Sequence, residues 1–117
     1  MMTQRHCLTL DLKDDPELIA EYKRHHQHVW PEITRSIRDS GIERMEIYLL
    51  GTRMFMIIDV SDHFSFAAKA EADRRNSQVQ EWEQLMWKFQ NALPGAKPGE
   101  KWVLMEKIFQ LADRQAN

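Results

Sequence analysis

The chain has 117 residues, enough for one domain with a buried core, and 43% of them are apolar, as in an ordinary globular protein. Its 16 basic and 18 acidic residues leave a formal charge of −2, which excludes the clustered basic face of a nucleic-acid binder. A lone cysteine, Cys7, excludes an internal disulfide, and no run approaches the ~20 apolar residues of a membrane span.

The first residues, Met1 to His6, carry no apolar run of the signal-peptide kind, so a cytoplasmic protein is expected. Residues 7–12 alternate, with Leu8, Leu10 and Leu12 on one side and Cys7, Thr9 and Asp11 on the other, which predicts a half-buried strand. Asp14-Asp15-Pro16-Glu17 then supplies a capping carboxylate, a proline for the first helical position and an acid for the first turn. A helix is expected from there to about Val29. Pro31 disfavours helical geometry at Trp30, and a second helical piece carrying Ile33 and Ile37 should run from Pro31 to a stop at Gly41.

Residues 42–50 and 53–60 are β-rich runs split by Gly51-Thr52 and read as an antiparallel hairpin. Ser61-Asp62 can cap a helix through the alanine-rich residues 64–75. Asn76-Ser77 marks a break and a new cap, and a helix from Val79 to about Leu93 is apolar at Trp82, Leu85, Met86 and Phe89. After the turn-rich Pro94-Gly95-Ala96-Lys97-Pro98-Gly99, residues 101–111 should close the fold as one strand, with fraying from Asp113 onward.

Strand, helix, strand, strand, helix, strand is the split βαβ order of ferredoxin-like α+β folds. A single domain with its ordered core at about residues 5–111 is expected. Such a sheet carries helices on one face only, and the strands here are apolar on both sides in places. Face-to-face pairing of two copies would cover the open side, so a homodimer is expected.

The densest chemistry lies in Glu21-Tyr22-Lys23-Arg24-His25-His26-Gln27-His28-Val29-Trp30-Pro31-Glu32. On a helix, Tyr22, His26 and Trp30 recur every four residues and share a face. That face offers a hydroxyl, a proton carrier that titrates near neutrality and a flat apolar surface, which suits a sugar. A lone helical histidine is more often simply solvated, and a Tyr/Trp stripe is more often core. The three together weigh against that blander reading.

His25 and His28 have helical spacing, but no third ligand follows in a zinc pattern, so no metal and no cofactor are expected. Among the other large aromatics, Tyr48, Trp82, Trp87 and Trp102, some must be core and one could stack on a sugar ring. Glu83, Glu100 and Glu106 read as surface charges. No nucleophile motif or phosphate loop is present.

The stretch from Tyr22 to Glu32, with Gly41, Ile47-Tyr48-Leu49, Val79-Gln80-Glu81-Trp82 and residues 102–109, resembles the L-rhamnose mutarotase family. The resemblance runs from Arg5 to Leu111. It implies a dimeric α+β barrel of ferredoxin-like monomers that interconverts the α and β anomers of a 6-deoxyhexose without cofactor. It places the family's proton-donor histidine on His26, its substrate-binding tyrosine on Tyr22 and one of its paired substrate-contacting tryptophans on Trp82.

Two positions depart from the family pattern. Met45 stands where a strand tyrosine contacts the sugar, Tyr48 matching a different tyrosine nearby, and Glu83 stands where the second tryptophan falls. The stretch Lys97-Pro98-Gly99-Glu100-Lys101-Trp102 is similar to the L-fucose-associated branch, which points to L-fucose over L-rhamnose. On this reading His26 is the acid/base, Tyr22 a positioner or relay, Trp82 the ring platform, and Trp30 a wall or helix-end anchor. The rival readings are an oxygenase of the same fold and a non-catalytic small-ligand-binding module. A red, haem-bearing preparation would mark the first, and anomeric exchange at the buffer rate the second.

Overall fold

The central strand β1 (Gln4–Leu12) follows the alternation of its sequence: Leu8, Leu10 and Leu12 are buried, and Cys7, Thr9 and Asp11 point to the other face. The computed structural model describes residues 3–112, and the expected fraying from Asp113 lies outside them. Asp15 caps α1 (Pro16–Gln27), its carboxylate accepting from the amides of Glu17 at 2.9 Å and Leu18 at 3.3 Å. Pro31 opens α2 (Pro31–Asp39), and the extended backbone of Trp30 (ψ 137°) is what a following proline requires. Helix α1 ends at Gln27 rather than Val29, His28 having already left helical geometry at φ −139°.

Gly41 stops α2 with φ +103°, and a side chain there would also meet the Ser61 hydroxyl at 2.9 Å. The hairpin β2 (Ile42–Leu50) and β3 (Arg53–Val60) forms as expected, in register from Leu50↔Arg53 to Ile42↔Val60 with one irregularity near Arg44. Helix α3 (Phe66–Arg75) starts later than its composition suggests, capped by Ser65, whose hydroxyl accepts from the Ala68 amide at 3.2 Å. Ser61 is engaged elsewhere, its amide on the Gly41 carbonyl and its hydroxyl 3.0 Å from His63 Nδ1. Asn76 caps α4 (Ser77–Trp87) through the amides of Gln78 and Val79.

Helix α4 ends six residues before the expected Leu93, because Phe89 and Gln90 turn onto β1. The Phe89 carbonyl accepts from the Lys13 amide at 2.8 Å, and β4 (Gln90–Asn91) pairs with Leu12 and Asp11. The closing strand is shorter than residues 101–111. It comprises β5 (Val103–Leu104), paired with Thr9 and Leu8, and one further bond from the Met105 amide to the Cys7 carbonyl. Beyond it, Ile108, Phe109 and Leu111 are exposed.

The sheet order is β2-β3-β1-β4, with β5 on the same edge of β1 as β4. Because β3 is antiparallel to both β1 and β2, those two run parallel with β3 between them, which is the split βαβ connection. The helices cover the face bearing Leu10, Leu12 and Met54, where Tyr22, Ile33, Val79, Trp82, Met86 and Phe89 complete the main core. A second cluster of Leu8, Ile42, Ile58 and Val60 adjoins it, and Trp102 and Ile37 touch both. Among the described residues no helix is long and apolar enough to cross a membrane.

Candidate active site

Helix α1 turns Tyr22 and His26, one turn apart, toward the sheet. Tyr22 is buried, and its ring lies 4.4 Å from that of His26, tilted by 38°. His26 Nδ1 is 2.9 Å from the Tyr22 carbonyl oxygen. A carbonyl can only accept, so in the neutral ring Nδ1 carries the proton and donates it there. The lone pair is then left on Nε2.

Helix α4 contributes Trp82 and Glu83. The Trp82 ring meets His26 edge-on at 5.8 Å and Trp30 at 5.1 Å, so one indole links the histidine to the start of α2. Glu83 binds Lys101 through its carboxylate, and the Lys101 ammonium also donates to the Glu83 carbonyl at 2.9 Å and lies 4.7 Å over the Trp87 ring. These contacts pin the loop before β5 onto α4 and bring Trp102 over the gap between helices and sheet.

That gap is a cavity of about 720 Å³, within the range of small-molecule sites. Tyr22, His26, Trp82, Glu83 and Met45 line it, over an apolar floor that includes Leu8, Met56 and Ile58. Trp30 is not part of the lining and instead backs Trp82. Tyr48 is not brought into this group. It sits on the opposite face of the sheet, half-exposed beside Phe55, and its hydroxyl donates to Glu46 at 3.2 Å.

His25 packs against Phe89 and Trp82 and lies 3.7 Å from a Glu21 carboxylate oxygen, while His28 is exposed. Among the described residues no group of three or more His, Cys, Asp or Glu side chains could hold a metal ion.

Among the polar residues of the cavity that escape a reading of the sequence alone are Lys69, Asp73 and Gln90. Lys69 and Asp73 pair at 2.7 Å one turn apart on α3, a spacing that also fits an ordinary surface ion pair. Gln90 donates through Nε2 to the Tyr22 hydroxyl oxygen at 3.2 Å. It falls inside the expected helix of residues 79–93, where nothing in the periodicity marks it. Among the described residues, two buried side-chain atoms lack a hydrogen-bond partner, Gln90 Oε1 and Asp73 Oδ1, and both belong to residues of this cavity.

Burial sets the protonation states. It pushes the Tyr22 hydroxyl up to about 12 against the opposing bond from Gln90, and the Glu83 carboxylate adds to the rise. Tyr22 is therefore a proton-bearing donor at any working pH. Burial also lowers His26 below 6.5, the bond to the Tyr22 carbonyl opposing this and neighbouring His25 adding to it. His26 is thus neutral at pH 7, with its basic nitrogen free.

An α+β sheet with one proton carrier set beside a hydroxyl and an indole, over a partly polar cavity, defines a small-ligand site suited to proton transfer. A family model described as L-rhamnose mutarotase matches residues 5–111. The chain is 46% identical over 115 residues to a protein of Xanthomonas campestris pv. campestris named L-fucose mutarotase, covering 97% of this chain and 92% of that one. It is 30% identical over 91 residues to an L-rhamnose mutarotase of Acidiphilium cryptum, covering 72% and 79%. The crystal structure of an L-rhamnose mutarotase from Formosa agariphila shares the fold, with a TM-score of 0.68 at 19% identity over 93% of this chain and 99% of that one. The chain belongs to the L-rhamnose mutarotase family.

Proposed function

We propose that this protein is a mutarotase that interconverts the α and β anomers of a 6-deoxyhexose, with L-fucose preferred to L-rhamnose and His26 as the acid/base. The observation that carries the mechanism is that His26, its Nδ1 engaged by the Tyr22 carbonyl and its Nε2 left as the basic nitrogen, shares one cavity with Tyr22 and Trp82, their rings 4.4 and 5.8 Å from its own. The substrate preference is supported by the name of the Xanthomonas relative. It also fits Met45 and Glu83, which stand where the family resemblance places a tyrosine and a second tryptophan.

Opening a pyranose moves one proton from the anomeric hydroxyl to the ring oxygen as the C1–O5 bond breaks and the C1=O1 bond forms. Both oxygens are bonded to C1, so a single proton carrier can serve them. Neutral His26 takes the proton at Nε2, and the imidazolium returns it to the ring oxygen. The Tyr22 hydroxyl, which accepts from Gln90, keeps its own hydrogen to steady an oxygen of the sugar. After rotation about C1–C2 the same steps run backwards and close the ring on the other aldehyde face. Trp82 offers a ring surface for the apolar side of the sugar, and Trp30 braces it.

The working unit in this reading is a homodimer, the dimeric α+β barrel. Its support is the open face of the sheet, where Cys7, Phe55, Ile57 and Tyr48 form an apolar strip. Residues 105–111 add Met105, Ile108, Phe109 and Leu111, all exposed in a single copy.

Proton NMR saturation transfer between the anomeric signals of equilibrated sugar tests the activity. Catalytic amounts of protein should accelerate exchange of L-fucose above the buffer rate, and L-rhamnose less. Exchange at the buffer rate with both sugars would overturn the proposal.

A further inference from the structure

Gln90 is buried (4% exposed) in β4, its backbone tied to Leu12 of β1, and it is one of the residues lining the cavity with Tyr22. One end of the amide is occupied by the Tyr22 hydroxyl at 3.2 Å, and the other end, Oε1, has neither a partner nor access to solvent. Turning the amide over only exchanges the roles: Oε1 would accept from the Tyr22 hydroxyl, and the NH₂ would be left unpaired. A carboxamide that served the fold alone would have both ends engaged, and an apolar side chain of similar size would fill the space without that cost. The unpaired end belongs to a residue lining a cavity that already holds the proton carrier.

We infer that Gln90 is a specificity-determining residue: a small turn of its side chain on sugar binding brings the unpaired amide end, closed to solvent in this structure, onto one ring hydroxyl, while its other end orients the Tyr22 hydroxyl. The inference rests on the mutarotase reading above. L-Fucose and L-rhamnose are both 6-deoxyhexoses and differ in configuration at C2 and C4. An amide fixed by a strand and by Tyr22 meets a hydroxyl at one of those carbons in one configuration and misses it in the other. Discrimination between the two sugars therefore follows from Gln90, and Trp82 and His26 act on features the sugars share.

Gln90→Met keeps the length and nearly the volume of the side chain and removes both amide groups. Anomeric exchange above the buffer rate would be measured for wild type and variant with L-fucose, L-rhamnose and the 2-deoxy and 4-deoxy analogues of L-fucose. The variant should lose about ten-fold in kcat/KM on L-fucose and far less on L-rhamnose. One deoxy analogue should lose a similar factor with wild type and nothing further with the variant. Equal losses on both sugars would overturn the inference, as would deoxy analogues that lose the same factor in both proteins. If the variant fails to fold, the wild-type series still decides: both analogues within two-fold of L-fucose would overturn it. A wild type that accelerates neither sugar overturns the mutarotase reading and this inference together, which separates that failure from the others.

Discussion

The two faces of the sheet are built by the same strands and differ only in which alternate side chains they carry, yet they have opposite characters. On the helix side, Leu10, Leu12, Met54 and Val60 are almost fully buried, and the packing opens into one cavity lined by Tyr22, His26, Glu83, Asp73 and Gln90. On the open side the order is reversed, with polar ends around an apolar middle. Arg5 forks onto Asp59 at 2.8 and 3.1 Å and Arg53 binds Asp11 at the other end, with Cys7, Ile57, Phe55 and Tyr48 between. A polar group enclosed by an apolar shell marks a place for a small ligand, because its hydrogen bonds gain from exclusion of water. An apolar strip framed by charges marks a place for a second protein surface, because the centre desolvates easily and the rim sets register.

The strongest test of that contrast is one measurement made on both faces. His26→Ala removes the proton carrier from a side chain that is only partly packed, so the fold should survive. Exchange above the buffer rate should then fall by about a hundredfold or more. Tyr48→Phe removes a hydroxyl that donates to Glu46, on the other face of the sheet, and should leave exchange within about two-fold. A large loss in Tyr48→Phe would mean that the open face contributes to the sugar site. An unaltered rate in His26→Ala would remove histidine from the chemistry.

A second substitution acts on the open face alone. Ile57 stands between Cys7 and Glu46 in the ladder, at the centre of the apolar strip. Placing a carboxylate there would leave a charge unpaired at the middle of a dimer interface, at a cost of several kcal/mol if the interface forms. Ile57→Asp should therefore sediment as a monomer where the native chain sediments as a dimer, with its secondary structure kept. A native chain that is monomeric at micromolar concentration would show that the strip has another use.

The cavity face was more legible in the sequence than the cavity itself. The alternation of Leu8, Leu10 and Leu12 and the Asp15-Pro16 start place β1 and α1, and with them Tyr22 and His26. The hairpin and the Asn76 cap were equally visible, since turns and caps are local chemistry. What could not be read is where the chain leaves one element for another under tertiary control. Two-residue strands such as β4 have no periodicity, so Gln90 looked like one more position on a helix. The polarity of Tyr48 was uninformative in a similar way. An aromatic at an alternating strand position belongs to one face or the other, and only the register Tyr48↔Phe55 and Leu49↔Met54 decides which.

The smallest expected effect concerns pH. Burial holds His26 below 6.5 in the folded chain, whereas in the unfolded chain it titrates near that ordinary value. Between the two values the unfolded state binds more protons, so acidification favours unfolding. The contribution of neutral His26 is complete above 6.5 and is lost as pH falls through the folded value. Tyr22, pushed up to about 12, stays neutral across this window and adds no slope. Thermal unfolding of the native chain should therefore weaken between about pH 7.5 and 5.5 more steeply than that of His26→Gln, which cannot titrate there. In the proposed mechanism the neutral imidazole is also the working base, so exchange should hold a plateau through neutrality and decline only below 6.5. Parallel slopes for the two proteins, with a rate that already falls at pH 7, would mean that His26 is solvated as freely as a residue of the open face.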